Sequence, residues 1–183
     1  MGDQMVLIDK KKFDYKLSLG ESMPSFSLIG TDNEMHPDNE FAKDVLCVWF
    51  SCNHCPYIHG SEEALQALVA EMKDSVDFVA INSNEDKNYP DDSFENMQKK
   101  DVNYTYLHDP TQEVAKAFGG ECTPHFFVFQ NRKLVYQGRL DDAGQDASSA
   151  TTHELKDALA ELVAGKDVSV PLTSAMGCSI KWN

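Results

Sequence analysis

Six consecutive apolar positions, Val45-Leu46-Cys47-Val48-Trp49-Phe50, form the clearest pattern in the chain. A run of that length, rich in strand formers, predicts a strand covered on both faces, and we read it as the central one. Past Cys52 to Pro56 the period changes. Leu65, Leu68, Val69 and Met72 fall at i, i+3, i+4 and i+7, the stripe of an amphipathic helix. A strand-to-helix turn therefore carries two cysteines.

Further along, Val76 to Ile81 predicts a second buried strand, and Asp92 with Glu95 has capping-box spacing for a helix through Lys100. Tyr104 to Leu107 reads as a strand. Asp109-Pro110 then supplies an N-cap and first helical residue for a short helix ending at Gly119-Gly120. Phe126 to Phe129 and Leu134 to Gln137, separated by Gln130-Asn131-Arg132-Lys133, predict a hairpin. Thr151 and Glu154 are spaced to cap a last helix with the face Leu155, Leu159, Leu162 and Val163, which Gly165 ends. Before the first strand, the alternation of Phe26 and Leu28 suits a half-buried strand. Ala143 to Ala150 reads as a polar loop, and residues 168–183 have no period.

Alternating strands and helices, followed by a hairpin and a closing helix, predict an α/β layer sandwich with a mixed sheet. With no internal repeat and no dividing linker, the 183 residues are expected to form one domain. Its core should run over about residues 17–164, with a tail over 165–183. Chemistry is expected at the C-terminal end of a central strand.

Composition narrows the functional classes. Acidic residues outnumber basic ones 30 to 16, a net charge of −14 that repels phosphate backbones, so nucleic acid is not an expected partner. We read the acidic excess as solubility. No stretch approaches the ~18–20 apolar residues of a membrane span, and no membrane is expected. Lys10-Lys11-Lys12 follows a short apolar patch, the reverse order of a secretory signal, which points to the cytoplasm.

The five cysteines, Cys47, Cys52, Cys55, Cys122 and Cys178, are odd in number and too sparse for a stapled secreted scaffold. Only Cys52 and Cys55 form a close pair. At a helix start, N–H groups and the positive dipole end favour a thiolate, and the thiolate is what attacks a disulfide. This predicts Cys52 as nucleophile and Cys55 as resolving thiol. The competing reading is zinc, with Cys52, Cys55 and His59 as three ligands, although a closed site needs a fourth. Haem attachment is excluded because Pro56 follows Cys55.

The strand over Val45 to Phe50, the turn through Cys52 and Cys55, and Thr123-Pro124 together resemble the thioredoxin fold. Met23-Pro24-Ser25-Phe26-Ser27-Leu28 resembles the start of the alkyl hydroperoxide reductase and thiol-specific antioxidant branch. Cys52-Asn53-His54-Cys55-Pro56-Tyr57 and Gly177-Cys178-Ser179-Ile180-Lys181-Trp182 resemble its peroxiredoxin-like thioredoxin family, a likeness that covers about Leu17 to Trp182. The resemblance implies a three-layer α/β/α redoxin domain with a mixed central sheet and an N-terminal β extension. It also implies a dithiol–disulfide site at Cys52 and Cys55. Pro124 would match the cis-proline, and Thr123 would meet substrate through main-chain atoms by strand addition. His54 stands where periplasmic disulfide oxidases carry a histidine that stabilises the first thiolate. His59 is a candidate proton shuttle, and Cys122, two residues before Pro124, a candidate third redox thiol.

Two departures from family patterns matter. A peroxiredoxin peroxidase carries Pro seven and Thr or Ser three residues before its reactive cysteine. Val48 and Cys52 hold those places before Cys55, and Val45 and Trp49 hold them before Cys52. Thioredoxin's buried acid, six residues before its first cysteine, corresponds to Leu46, so proton transfer needs another agent. Cys47 reads as a packed hydrophobe, Tyr57 as packing and Arg139 as a surface ion pair; Cys178 has no assigned place. The expected activity is thiol–disulfide exchange with protein or small-molecule disulfides. It uses no cofactor and draws electrons from a donor such as a thioredoxin reductase or glutathione system. The alternatives are a peroxiredoxin-like thiol peroxidase and a non-catalytic binding module or zinc-stabilised adaptor.

Overall fold

The computed structural model describes residues 13–183, so Lys10-Lys11-Lys12 and the patch before it lie outside the described residues. In chain order the strands are β1 (Ser27–Gly30), β2 (Met35–Pro37), β3 (Val45–Ser51), β4 (Val76–Asn82), β5 (Thr105–His108), β6 (Cys122–Thr123), β7 (His125–Gln130), β8 (Lys133–Gly138) and β9 (Cys178–Ser179). The helices are α1 (Pro56–Met72), α2 (Phe94–Met97), α3 (Glu113–Phe118) and α4 (Glu154–Val163). Seven strands form one sheet in the order β2-β1-β5-β4-β3-β7-β8, and β6 pairs with β9 in a separate ribbon. β3, β4 and β5 run parallel while β7 runs against β3, which makes the sheet mixed. The β1–β2 hairpin joins the edge of β5 as the expected N-terminal extension.

β3 is buried at all seven positions because both its faces are covered. Cys47 and Trp49 face the layer containing Leu65, Leu68 and Val69 of α1 and Leu155 and Leu159 of α4. Leu46, Val48 and Phe50 face Val114, Ala115 and Phe118 of α3. Side chains of successive strand residues point to opposite faces, so one apolar run builds two cores. The result is the three-layer sandwich of a thioredoxin-like fold. β4, rather than β3, holds the middle place in the strand order. No helix among the described residues is long and apolar enough to cross a membrane.

Several local expectations give way to tertiary contacts. Ser93, not Asp92, caps α2 by accepting from the Asn96 N–H, and the helix stops at Met97 instead of Lys100. Asp109 stands outside α3, which starts at Glu113, yet its carboxylate still accepts from the Ala115 N–H at 3.0 Å. The Thr151–Glu154 box does not form: Thr151 donates to Asp142 and Glu154 pairs with Arg139. On α4, Val163 is exposed and Ala158 takes the buried place. The Asn131-Arg132 turn has φ of 48° and 68°, the left-handed pair that a two-residue hairpin loop requires.

Candidate active site

β3 delivers the chain to Ser51 and α1 starts at Pro56, with Cys55 at the N-cap position, so Cys52, Asn53 and His54 bridge a fixed gap. Pro56 suits the first helical position, where the missing N–H would have no partner within the helix. Asn53 holds the bridge from four sides. Its N–H donates to Asp92 at 2.5 Å, and its side-chain amide donates to the Asp91 carbonyl at 2.7 Å. Its side-chain oxygen accepts from the Tyr106 hydroxyl at 2.9 Å, and its carbonyl accepts from His59 Nε2 at 2.6 Å. His59 therefore props the loop. Among the described residues, the side chains close enough together to hold a metal ion are Cys52, His54 and Asp92, a group without His59.

Both sulfurs are buried, and they share Thr123. Cys52 Sγ lies 3.1 Å from Thr123 Oγ1, and Cys55 Sγ lies 3.2 Å from the Thr123 carbonyl oxygen. The Thr123–Pro124 bond is cis. The two thiols lie close enough for each to shift the other. Cys55 is drawn down to about 4, foremost by the hydrogen bond from Cys52, with help from the Cys178 side chain and the N–H groups of Ile58 and Cys178. Cys52 is pushed up, first by donating to Cys55 and then by burial, against the opposing pull of the Thr123 hydroxyl. Because α1 starts at Pro56, Cys55 stands at its N-cap and the Ile58 N–H lies toward that sulfur.

Asp92 is the residue that sequence reasoning missed. It is fully buried and accepts from Asn53 N–H, from Asn82 at 3.3 Å and from Asn84 at 2.9 Å. Its second oxygen also meets His54 Nδ1 at 2.5 Å. The His54 ring stacks on Tyr89, with centroids 5.0 Å apart. Donor atoms of Cys52, His54 and Asp92 lie within 4.8 Å of one another. Leu46 supplies no acid, and a buried carboxylate from the loop after β4 stands beside Cys52 instead. Its spacing from Glu95 disguised it as a helix cap, and no local signal marked a partner 38 positions away.

Thr123 does not present a free edge in this structure. Its partner in the β6–β9 ribbon is Cys178, and Cys122 faces Ser179. A Cβ placed on Gly177 would fall 2.1 Å from the Thr123 carbonyl oxygen, so only glycine lets the segment lie this close. Beyond the ribbon, Ile180 is buried in the α3-side core, and Lys181 N–H donates to Asn84 Oδ1 at 2.8 Å. The Lys181 carbonyl accepts from Glu85 N–H and Gln112. The aperiodic tail motif is thus a clasp, held by β6 at Gly177 to Ser179 and by the α3-side core, Asn84, Glu85 and Gln112 at Ile180 and Lys181. Cys122 packs with its sulfur 3.5 Å from the Pro124 carbonyl, its thiol pushed up to about 12 chiefly by burial.

The remaining candidates have ordinary roles. Cys47 is buried among apolar side chains, and Trp49 packs edge-on to Tyr104 and stacked on Phe126. Arg139 forms an ion pair with Glu154, as its sequence setting suggested.

Comparison with known proteins agrees with this geometry. A search of curated protein sequences finds no match to the chain. An uncharacterized conserved protein from Geobacillus kaustophilus is 37% identical, with a TM-score of 0.86 over 92% of this chain and 95% of that one. A hypothetical protein from Sinorhizobium meliloti is 32% identical, with a TM-score of 0.87 over 92% and 96%. A secreted Mycobacterium tuberculosis disulfide oxidoreductase, at 18% identity and a TM-score of 0.52 over 76% and 95%, shares the fold. The model of the redoxin family matches residues 18–159, a span that holds the cysteine pair, Asp92 and the cis-proline, and the chain belongs to the redoxin family, as a redox protein of the thioredoxin type.

Proposed function

We propose that this redoxin is a thiol–disulfide oxidoreductase in which Cys52 and Cys55 alternate between dithiol and disulfide. The observation that carries the reading is two adjacent thiols that both meet Thr123 beside its cis bond to Pro124, with a buried carboxylate–imidazole pair next to one of them. Cys52 is the attacking sulfur. With Cys55 protonated, its thiol donates to the Thr123 carbonyl, and the Thr123 hydroxyl donates to a charged Cys52. Cys52 then bonds to one sulfur of a disulfide, and the other departs as thiolate. Cys55 attacks Cys52, releases the second substrate thiol and closes the Cys52–Cys55 bond. His54 and Asp92, beside Cys52, relay its proton. Two electrons reach the substrate, a protein or small-molecule disulfide, and return from a thiol donor of the thioredoxin-reductase or glutathione type. A reducing compartment such as the cytoplasm suits that cycle.

Reduction of insulin disulfides by the full-length protein tests the reading, alongside peroxide consumption, free-thiol counts before and after dithiothreitol, and metal analysis. The expected result is insulin reduction that Cys52→Ser and Cys55→Ser abolish, with two thiols gained on reduction. Metal held by the untreated protein, or peroxide turnover without disulfide reduction, overturns it.

A further inference from the structure

Cys52 and Cys55 are fully buried, yet a redox pair has to exchange electrons with partners in solution. A third sulfur stands beside them. Cys178 packs on the Cys52–Cys55–Ile58 cluster and is partly exposed where those two are sealed. Its placement is built rather than incidental. The β6–β9 register sets it opposite Thr123, whose carbonyl touches Cys55, and Gly177 supplies the close approach. Ile180 and Lys181 then pin the far side. The chain's own strand thus lies where strand addition would seat a substrate, with a cysteine at the pairing position.

We propose that Cys178 is a third redox thiol that carries the oxidised state of the buried pair to the surface through a Cys55–Cys178 disulfide. The proposal rests on the dithiol reading above and names the route by which the pair is regenerated. In the oxidised protein, the Cys178 sulfur attacks Cys55. The Cys55–Cys178 bond forms, the Cys52–Cys55 bond breaks, and Cys52 leaves with the electron pair and the proton Cys178 gave up. No net oxidation occurs in that step. A donor thiolate then attacks the partly exposed Cys178 sulfur, and Cys55 departs as thiolate. A second donor thiol attacks the resulting mixed disulfide, releasing Cys178 and an oxidised donor. Two donor thiols have supplied two electrons.

The chemistry of the sulfurs fits the release step. Of the two sulfurs in the Cys55–Cys178 bond, Cys55 is the better leaving group, because Cys52 first and then the Ile58 N–H donate to its thiolate, and low-pKa thiols leave fastest. The Cys178 thiol, pushed up to about 11 by burial and then by its hydrogen bond to Cys55, is the poorer leaving group. Attack at the Cys178 sulfur therefore expels Cys55. Cys122 neighbours Cys178 across the ribbon but meets the Pro124 carbonyl, so it stands outside this sequence.

The test oxidises full-length protein with diamide, quenches it in acid, alkylates free thiols and maps the linked peptides by mass spectrometry. The expected wild-type products are Cys52–Cys55 and Cys55–Cys178 together, and in Cys52→Ser the Cys55–Cys178 link alone, near one per chain. In Cys178→Ser the Cys52–Cys55 link still forms, and its reduction by glutathione slows by at least an order of magnitude. The relay is overturned if wild-type Cys178 stays alkylatable throughout, or if it links to Cys122. It is equally overturned if Cys178→Ser is reduced as fast as wild type. In those cases a Cys52–Cys55 link leaves the dithiol reading standing. No link at any cysteine removes both.

Discussion

Cys47 and Cys55 are equally hidden from solvent, and their thiols are driven in opposite directions. Around Cys47 lie apolar side chains of β3, α1 and α4, and burial alone pushes its thiol up. Around Cys55 stand Cys52, Cys178 and two backbone N–H groups, and these draw it down in spite of burial. Desolvation disfavours a charge wherever nothing donates to it, and a few aimed donors reverse the sign. Burial thus identifies a thiol's address in the fold, while its donors decide whether it reacts.

The comparison is broken most severely by removing the sulfur that receives those donors. Cys55→Ser should lower insulin-disulfide reduction by more than about a hundredfold, to the background of the assay, since an alkoxide cannot replace the thiolate. Asp92→Asn comes next. It takes away the carboxylate shared by Asn53, Asn84 and His54, and should slow turnover by about a hundredfold, the usual yield of one acid–base group. Its pH–rate profile should flatten relative to wild type; an unchanged profile would reduce Asp92 to a loop anchor.

A histidine next to the site extends the lesson to a base. His125 follows the cis-proline, is completely buried, and is lowered to about 3 by burial. Its folded value lies below the ordinary imidazole value of about 6.5, so between those limits the unfolded chain binds a proton that the fold refuses. The contribution is whole above about pH 6.5 and is lost as pH falls, by about 1.4 kcal/mol per pH unit. Denaturant titrations from pH 7 to pH 4 should show that slope, and His125→Gln should remove it. Thr123→Val deletes the hydroxyl donor at Cys52 and should slow the attack by about tenfold, the worth of one hydrogen bond. Smallest is Cys47→Ala. Activity should stay at the wild-type level, with stability lower by about 1 kcal/mol in urea denaturation.

The layers of the fold were legible because their signals are local. Val45 to Phe50 could only be a covered strand, and the i, i+3, i+4 spacing after Pro56 could only be its following helix. The cysteine pair was legible for the same reason. Asp92 was not, because its local spacing suggested a helix cap and its real partners, Asn53, His54 and Asn84, are gathered by the sheet. Cys178 was hidden differently. A segment docked first on a two-residue strand and then on scattered loop residues has no period to read.

The buried Asp92 carboxylate beneath the loop has a consequence for protein engineering. Asn53 and His54 are tethered to Asp92, and Asp92 to Asn82 and Asn84, so the four-residue motif is not a portable cassette. Grafting Cys-Asn-His-Cys onto another scaffold would transfer the letters without the anchorage. A functional transplant has to carry the crossover after β4 along with it.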